Sequence, residues 1–271
     1  VPRARLLMPI MNRVFKGTGD RFLESSVFWQ SSIGKFCAAS FSSVTADTLQ
    51  VLIDATADLR KEWPQDIAYT AYGYHGTEVW IDGRYHWQSY APYLQGWAKI
   101  ELENIAVRAR EQGIKASVYN CPEILTNSSS IFQGVEIPLY PLMQALRKEG
   151  GDDHPKVKAV LAQCQRLLKP EHNLNDVLQL CEKTLTSPEV QAQSHLENWP
   201  QHNSKKQMET LLGASNQIFD AHLSDKELMT IPLSEVVFSA CGQLMMNHVL
   251  SGKEAVAWLN HDIVAKTYLK S

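Results

Sequence analysis

The chain has 271 residues, 44% of them hydrophobic and 20% charged, with a net charge of −3 and an isoelectric point near 6.3. That composition describes a globular chain of one or two domains with length enough for a real core. It excludes a globally basic nucleic-acid binder, so any such contact must rest on a local patch.

Residues 1–16 contain Arg3, Arg5, Arg13 and Lys16 and no acidic residue. They read either as a basic arm toward phosphate or as an extended edge segment anchored by Leu6, Met8 and Ile10. Pro2 and Pro9 break this stretch, which lacks a signal-peptide core. Residues 20–44 are rich in Ser and Phe, and Phe22, Val27, Phe28, Trp29, Ile33, Phe36 and Phe41 read as core. Thr45 and Asp47 open a helix with Leu49, Leu52, Ile53, Ala57 and Leu59 inward, ended by Trp63-Pro64. Residues 67–88 alternate and are dense in Tyr and Trp, with Gly76 and Asp82-Gly83 as turn signals, which predicts a β-hairpin or small meander. A long helix follows over 89–112, closed by Gly113. Residues 114–119 alternate as a strand, with Ile114, Ala116 and Val118 on one face and Lys115, Ser117 and Tyr119 on the other. That strand reads as a sheet edge with a polar outer face, or as a groove-facing strand with Arg108 and Arg110 close to phosphate. Residues 126–130 are a loop, followed by a short strand and a helix from about 142 to 148.

From 156 onward the pattern is helical. Val157, Val160, Leu161, Cys164, Leu167 and Leu168 form one amphipathic set, and Val177, Leu178, Leu180, Cys181 and Leu185 the next. Residues 186–206 are polar, with Pro188 and Pro200, and read as a linker or mobile surface. These features predict an α+β main domain over 1–200 and a helical part over 201–271. Within the latter, 228–233 reads as a short edge strand limited by Pro232. Ser234 and Glu235 then open a helix, Ser251-Gly252 stops it, and Val256, Leu259 and Ile263 mark a second. A helical hairpin closing the core is the other reading of this segment.

Five cysteines, at 37, 121, 164, 181 and 241, form no Cys-x-x-Cys pair. Neither a disulfide framework nor a zinc site is indicated, and reducing cytoplasm is the expected compartment. No apolar run approaches the length of a membrane span. Cys37, with Gln30 before it and His75, His86 and Asp82 after it, has the makings of a cysteine hydrolase. Set among Phe36, Ala38 and Ala39 it also reads as an inert core thiol. No histidine pair has ligand spacing, and neither a P-loop nor a dinucleotide fingerprint occurs, so no cofactor or metal is expected.

The terminal strand, helix, Gly turn and helix resemble the ribbon-helix-helix DNA-binding module. That resemblance implies two chains pairing strands into a ribbon in the major groove, with Thr230 at a base edge and Lys226 and Lys253 on the backbone. Across nearly its full length the chain resembles the AcaB-type regulators of conjugative plasmids and integrative conjugative elements. The stretches RARLLMPIMNRVFKGTGDRF and YGYHGTEVWIDGRYHWQ and the strand-helix-helix ending carry the likeness. It implies a cytoplasmic, dimeric, non-enzymatic activator of conjugative-transfer genes that binds promoter DNA and no membrane. The expected fold class is α+β, mostly helical, with a small antiparallel sheet and a ribbon-helix-helix-like element. Lys115, Ser117 and Tyr119 are the second set of DNA candidates, and Arg3 and Arg5 the arm. A hydrolase centred on Cys37 and a protein–protein adaptor using the aromatic hairpin remain the alternatives.

Overall fold

The computed structural model describes residues 27, 30–63, 67–73, 75–89, 94–124, 134, 136–192 and 205–271. Three helices come first, α1 (Ser32–Thr45), α2 (Asp47–Ala55) and α3 (Ala57–Glu62). The Ser31 hydroxyl caps α1 by accepting from the Gly34 N–H at 3.1 Å, and Asp47 complements the start of α2. Only Leu49 and Ile53 of α2 are buried. Leu52 and Leu59, expected inward, are 51% and 44% exposed. Arg60 ties α3 to the first strand by donating to the Tyr69 hydroxyl at 2.6 Å.

β1 (Tyr69–Gly73) leads into an antiparallel hairpin of β2 (Gly76–Ile81) and β3 (Arg84–Ser89). Asp82 and Gly83 both have positive φ, 49° and 77°, the backbone that an Asp-Gly hairpin turn requires. The helix α4 (Leu94–Glu111) then crosses to β4 (Ala116–Asn120). β1 and β4 are parallel, in register from Tyr69 opposite Ala116 to Gly73 opposite Asn120. A long crossover is what a parallel pair demands. β5 (Val256–Trp258) adds to the other side of β4, also parallel, giving the order β1-β4-β5.

Between β4 and β5 the chain is helical: α5 (Glu136–Leu139), α6 (Leu142–Gly150), α7 (Pro155–Gln165), α8 (Leu174–Leu185), α9 (Pro188–Gln191), α10 (Lys205–Ala221) and α11 (Thr230–His248). After β5 comes α12 (His261–Lys270). α8 starts at a capping box of Asn173 and Asp176. Two cores flank the sheet. The larger joins residues from Val79 to Ala265 and includes Tyr119, Leu142, Met143, Leu178, Ile218, Leu233 and Val237. The smaller gathers Leu49, Ile53, Leu102, Ile105, Ala106 and Val118 between α2, α4 and the strands. Every residue of β4 is buried, as befits a parallel strand covered on both faces.

This is not the expected fold class of a small antiparallel sheet with a ribbon-helix-helix-like element. The main sheet is parallel, and 230–233 opens α11 instead of forming a strand. Pro232 sits in the first turn of that helix, where its missing N–H has no intrahelical acceptor to forfeit. The second expected helix begins only at His261, because 256–258 completes the parallel sheet. β4 is central, not an edge, and the stretch near 136–139 is a short helix, not a strand. Among the described residues no single helix is long and apolar enough to cross a membrane.

Candidate functional site

The carboxyl ends of the parallel strands, at Gly73 and Asn120, meet the N-terminal half of α4. In open parallel sheets that mouth is where ligands bind. Lys99, on α4, reaches across it and donates from Nζ to the Tyr72 carbonyl oxygen. Desolvation draws the Lys99 amine down to about 8, against a smaller opposing effect of the neighbouring Cys121. Burial has the opposite consequence for the Tyr72 phenol, which is held well above its ordinary range.

One turn beyond Lys99 on the same helix face stands Glu103, only 8% exposed. It accepts from Asn120 Nδ2 at 2.8 Å and lies 3.3 Å from His75 Nδ1. Asn120 Oδ1 in turn accepts the His75 backbone N–H at 2.9 Å. Three elements are thus locked together: the β1–β2 corner, α4 and the end of β4. Gly73 makes room for this. A Cβ there would meet Val118 Cγ1 at 2.7 Å and press still harder on Asn120 Oδ1. Gly73→Ala is therefore expected to cost about 1–3 kcal/mol through overpacking. A urea melt with an unchanged midpoint would remove this constraint.

The His75 ring packs 5.5 Å from Trp258 and 6.1 Å from Trp87, and the two indoles are 5.0 Å apart, all centroid to centroid. Asn260 holds the hairpin over this cluster, accepting the Glu78 N–H at 3.0 Å and donating to Glu78 Oε2 at 2.8 Å. Just past Asn120, the free Cys121 thiol is held protonated by a hydrogen bond with the Cys241 thiol and by burial. Behind it two carboxyls are buried. Glu123 is pushed up to about 8 by burial and by Glu136. Glu136 is raised by burial and partly relieved by the hydroxyl of Ser215.

The DNA candidates fall elsewhere. Lys226 is exposed in the turn before α11, and Lys253 is exposed ahead of β5. Thr230 is 1% exposed and Tyr119 2% exposed, both inside the protein and unable to touch a base. Ser117, 7% exposed, donates to the Glu254 carbonyl at 2.9 Å and accepts from Arg110 at 2.6 Å. Lys115 is half-buried at the entry to β4. Arg110 is spent internally on Ala116, Ser117 and Gly252, and Arg108 pairs with Glu101 at 2.7 Å. Arg3, Arg5 and the Cys37 side chain lie outside the described residues. Lys99, Glu103 and Asn120 carried no motif. Their signal was positional, since two strand-like stretches joined by a long helix make a parallel pair with a ligand-binding mouth at its carboxyl end.

A family model for the enoyl-acyl carrier protein reductase FabMG matches residues 1–268. Among solved structures, the apo form of FabMG, described as a novel type of enoyl-acyl carrier protein reductase, is 41% identical with a TM-score of 0.89. The match covers 97% of this chain and 60% of that one. An NADH-bound FabMG structure is 38% identical with a TM-score of 0.81, over 98% of this chain and 65% of that one. No curated protein matches. These findings overturn the resemblance to AcaB-type regulators. With it go the conjugative activator, promoter DNA as partner and the expectation of a non-enzyme. The Cys37 hydrolase and the adaptor gain no support from them either.

Proposed function

The chain belongs to the FabMG family of enoyl-acyl carrier protein reductases, and from that premise we propose that it carries the substrate-reducing part of such an enzyme. The chain spans 60% and 65% of the solved chains it matches. The substrate class is an enoyl thioester on acyl carrier protein. Saturating its double bond adds a hydride at Cβ and a proton at Cα, and negative charge builds on the thioester carbonyl oxygen in between. One solved relative is bound to NADH, and a nicotinamide dinucleotide is the hydride source we assign here. A desolvated cationic donor, Lys99, stands at the mouth of the parallel strands, where it suits the negative charge that hydride addition builds on the thioester oxygen. The G-x-G-x-x-G turn that grips a pyrophosphate has no counterpart in the 271 residues, so that grip is not assigned to this chain.

Lys99 is the observation that carries the proposal. An ammonium in a low-dielectric mouth stabilises developing oxyanion charge far better than one in water. A value of about 8 leaves it mostly protonated at neutral pH and close enough to that pH to pass a proton on. The Tyr72 phenol, held neutral by burial, is no competing base. Glu103, Asn120 and His75 fix the helix that presents Lys99 against the strand ends. We assign the reaction to the cytoplasm, a reducing setting suited to four thiols that are free and buried.

The test is a chimera in which this chain replaces the matching portion of the solved FabMG reductase. Loss of NADH absorbance on adding an enoyl thioester is the expected result. A folded chimera that binds NADH yet leaves the double bond intact sinks the proposal.

A further inference from the structure

The carboxyl ends of the three parallel strands open on one mouth, and an aromatic cluster stands on its β5 side. Asn120 is in register with Trp258, the last residue of β5. Ala257 packs against the larger core, so alternation turns Trp258 to the opposite face of the sheet. That is the face on which Asn120 meets Glu103 of α4. Trp87 comes from β3, opposite Glu78, and His75 from the β1–β2 corner. The two indoles meet edge to face at 77°, and His75 meets Trp87 at 89°. Each such contact covers one ring face and leaves others open.

Trp80 and Tyr85 of the same hairpin pack against the larger core, whereas Trp87 and Trp258 belong to neither of the two cores described. Both, like His75, are half-buried. They are nonetheless firmly placed. Asn260, two residues beyond Trp258, bonds the main chain and the side chain of Glu78, directly across the hairpin from Trp87. The His75 N–H is tied to Asn120. A preformed aromatic face beside a few convergent polar groups suits an apolar ligand.

The span from Lys99 to these rings decides what fits between them. Lys99 bonds the Tyr72 carbonyl at the end of β1, and Trp258 ends β5, two strands away in the order β1-β4-β5. Two strand spacings are about 10 Å. An extended carbon chain, with bonds of about 1.5 Å at near-tetrahedral angles, gains about 1.3 Å per carbon. A thioester carbonyl held at Lys99 therefore brings about the eighth carbon of its acyl chain to the rings. The carboxylate along this path, Glu103, is already turned to Asn120 and His75. Resting on the reductase reading, we propose that Trp258, with Trp87 and His75, is the wall that receives the distal acyl chain of the enoyl substrate and sets its preference for chain length.

Calorimetric titration of the chain with saturated N-acetylcysteamine thioesters, hexanoyl and decanoyl, tests this without any turnover. From hexanoyl to decanoyl the affinity is expected to rise by at least about tenfold, because the added methylenes leave water against the rings. In Trp258→Ala that gain is expected to fall below about threefold, while Trp258→Phe, which keeps a ring, retains most of it. A merely structural role for Trp258 weakens both thioesters alike and spares their ratio. Where Trp258→Ala does not fold, Trp87→Ala on the hairpin is read in the same way. A parent that gains nothing with length overturns the proposal, and so does a gain that persists in the alanine variant. Loss of NADH affinity in Trp258→Ala, with the thioester series unmoved, gives the rings to the nucleotide and also overturns it. The chimera keeps the two readings apart. Turnover with a length preference unmoved by Trp258→Ala removes the wall and leaves the reductase assignment standing. A length-dependent titration beside a chimera without turnover does the reverse.

Discussion

Replacing Lys99 with Met is expected to lower enoyl reduction by about 100- to 1,000-fold, the usual cost of removing one preorganised donor from a developing oxyanion. The chimera described above, followed by NADH absorbance, is the assay. The pH profile separates this role from a structural one. With the Lys99 amine at about 8, a rate that depends on the ammonium falls as pH rises through that value. Lys99→Arg keeps its charge at any accessible pH, so the alkaline limb should move upward even where the larger guanidinium reduces the maximal rate. An alkaline limb unmoved in the arginine variant rules out Lys99 as its source. Stability should run opposite to activity. Between about 8 and the ordinary 10.5 the folded chain binds fewer protons at Lys99 than the unfolded chain does. Stability therefore rises with pH across that window, and below it the desolvated ammonium is a net cost. Lys99→Met removes that cost and should melt higher than the parent at neutral pH while turning over less, the pattern expected where a site holds a group its environment disfavours.

The local part of this architecture was legible. Asp82-Gly83 encodes its turn, because two consecutive positive φ values are what that dipeptide accepts. The amphipathic sets around Val157 and Val177 are helices α7 and α8. The sheet was not legible, for a physical reason. In β4, Val118 belongs to one core and Tyr119 to the other, so its alternation separates two buried faces rather than an inside from an outside. Ser117 looked exposed because it is polar; it is buried because Arg110 and Glu254 satisfy its hydroxyl. The segment 228–233 misled in a similar way. Pro232 reads as strand-limiting only when the helix start at Thr230 is unknown, and a first helical turn is one of the few places where proline costs nothing. The likeness to a ribbon-helix-helix module rested on that strand and falls with it.

The site lies still further from sequence patterns. His75, Glu103 and Asn120 are 28 and 45 residues apart along the chain, and no spacing rule joins them. Lys99 is one lysine among many until α4 is laid against β1. Desolvation singles it out, and desolvation is a property of the assembled layers.

The buried carboxyl of Glu123 should dominate the pH dependence of stability. Its folded value of about 8 lies far above the ordinary 4.5, first because it is buried and second because Glu136 is close. A carboxyl raised in this way makes the folded chain the better proton binder between those two values. Its contribution is fully present below about 4.5, is lost progressively as pH rises toward 8, and stays lost above. Glu136 faces it and is itself raised by burial, while the Ser215 hydroxyl bonded to Glu136 pulls the other way. The pair therefore shares the penalty, and ionising both is the costly event. Glu123→Gln keeps the shape and a neutral hydrogen-bonding end. Relative to the parent it should be near neutral at pH 5 and more stable by about 3 kcal/mol at pH 9. Urea unfolding at a series of pH values measures the difference. Parallel pH profiles for parent and variant would show that Glu123 does not ionise within the folded range and would move the penalty to Glu136, where Glu136→Gln should then reproduce the effect.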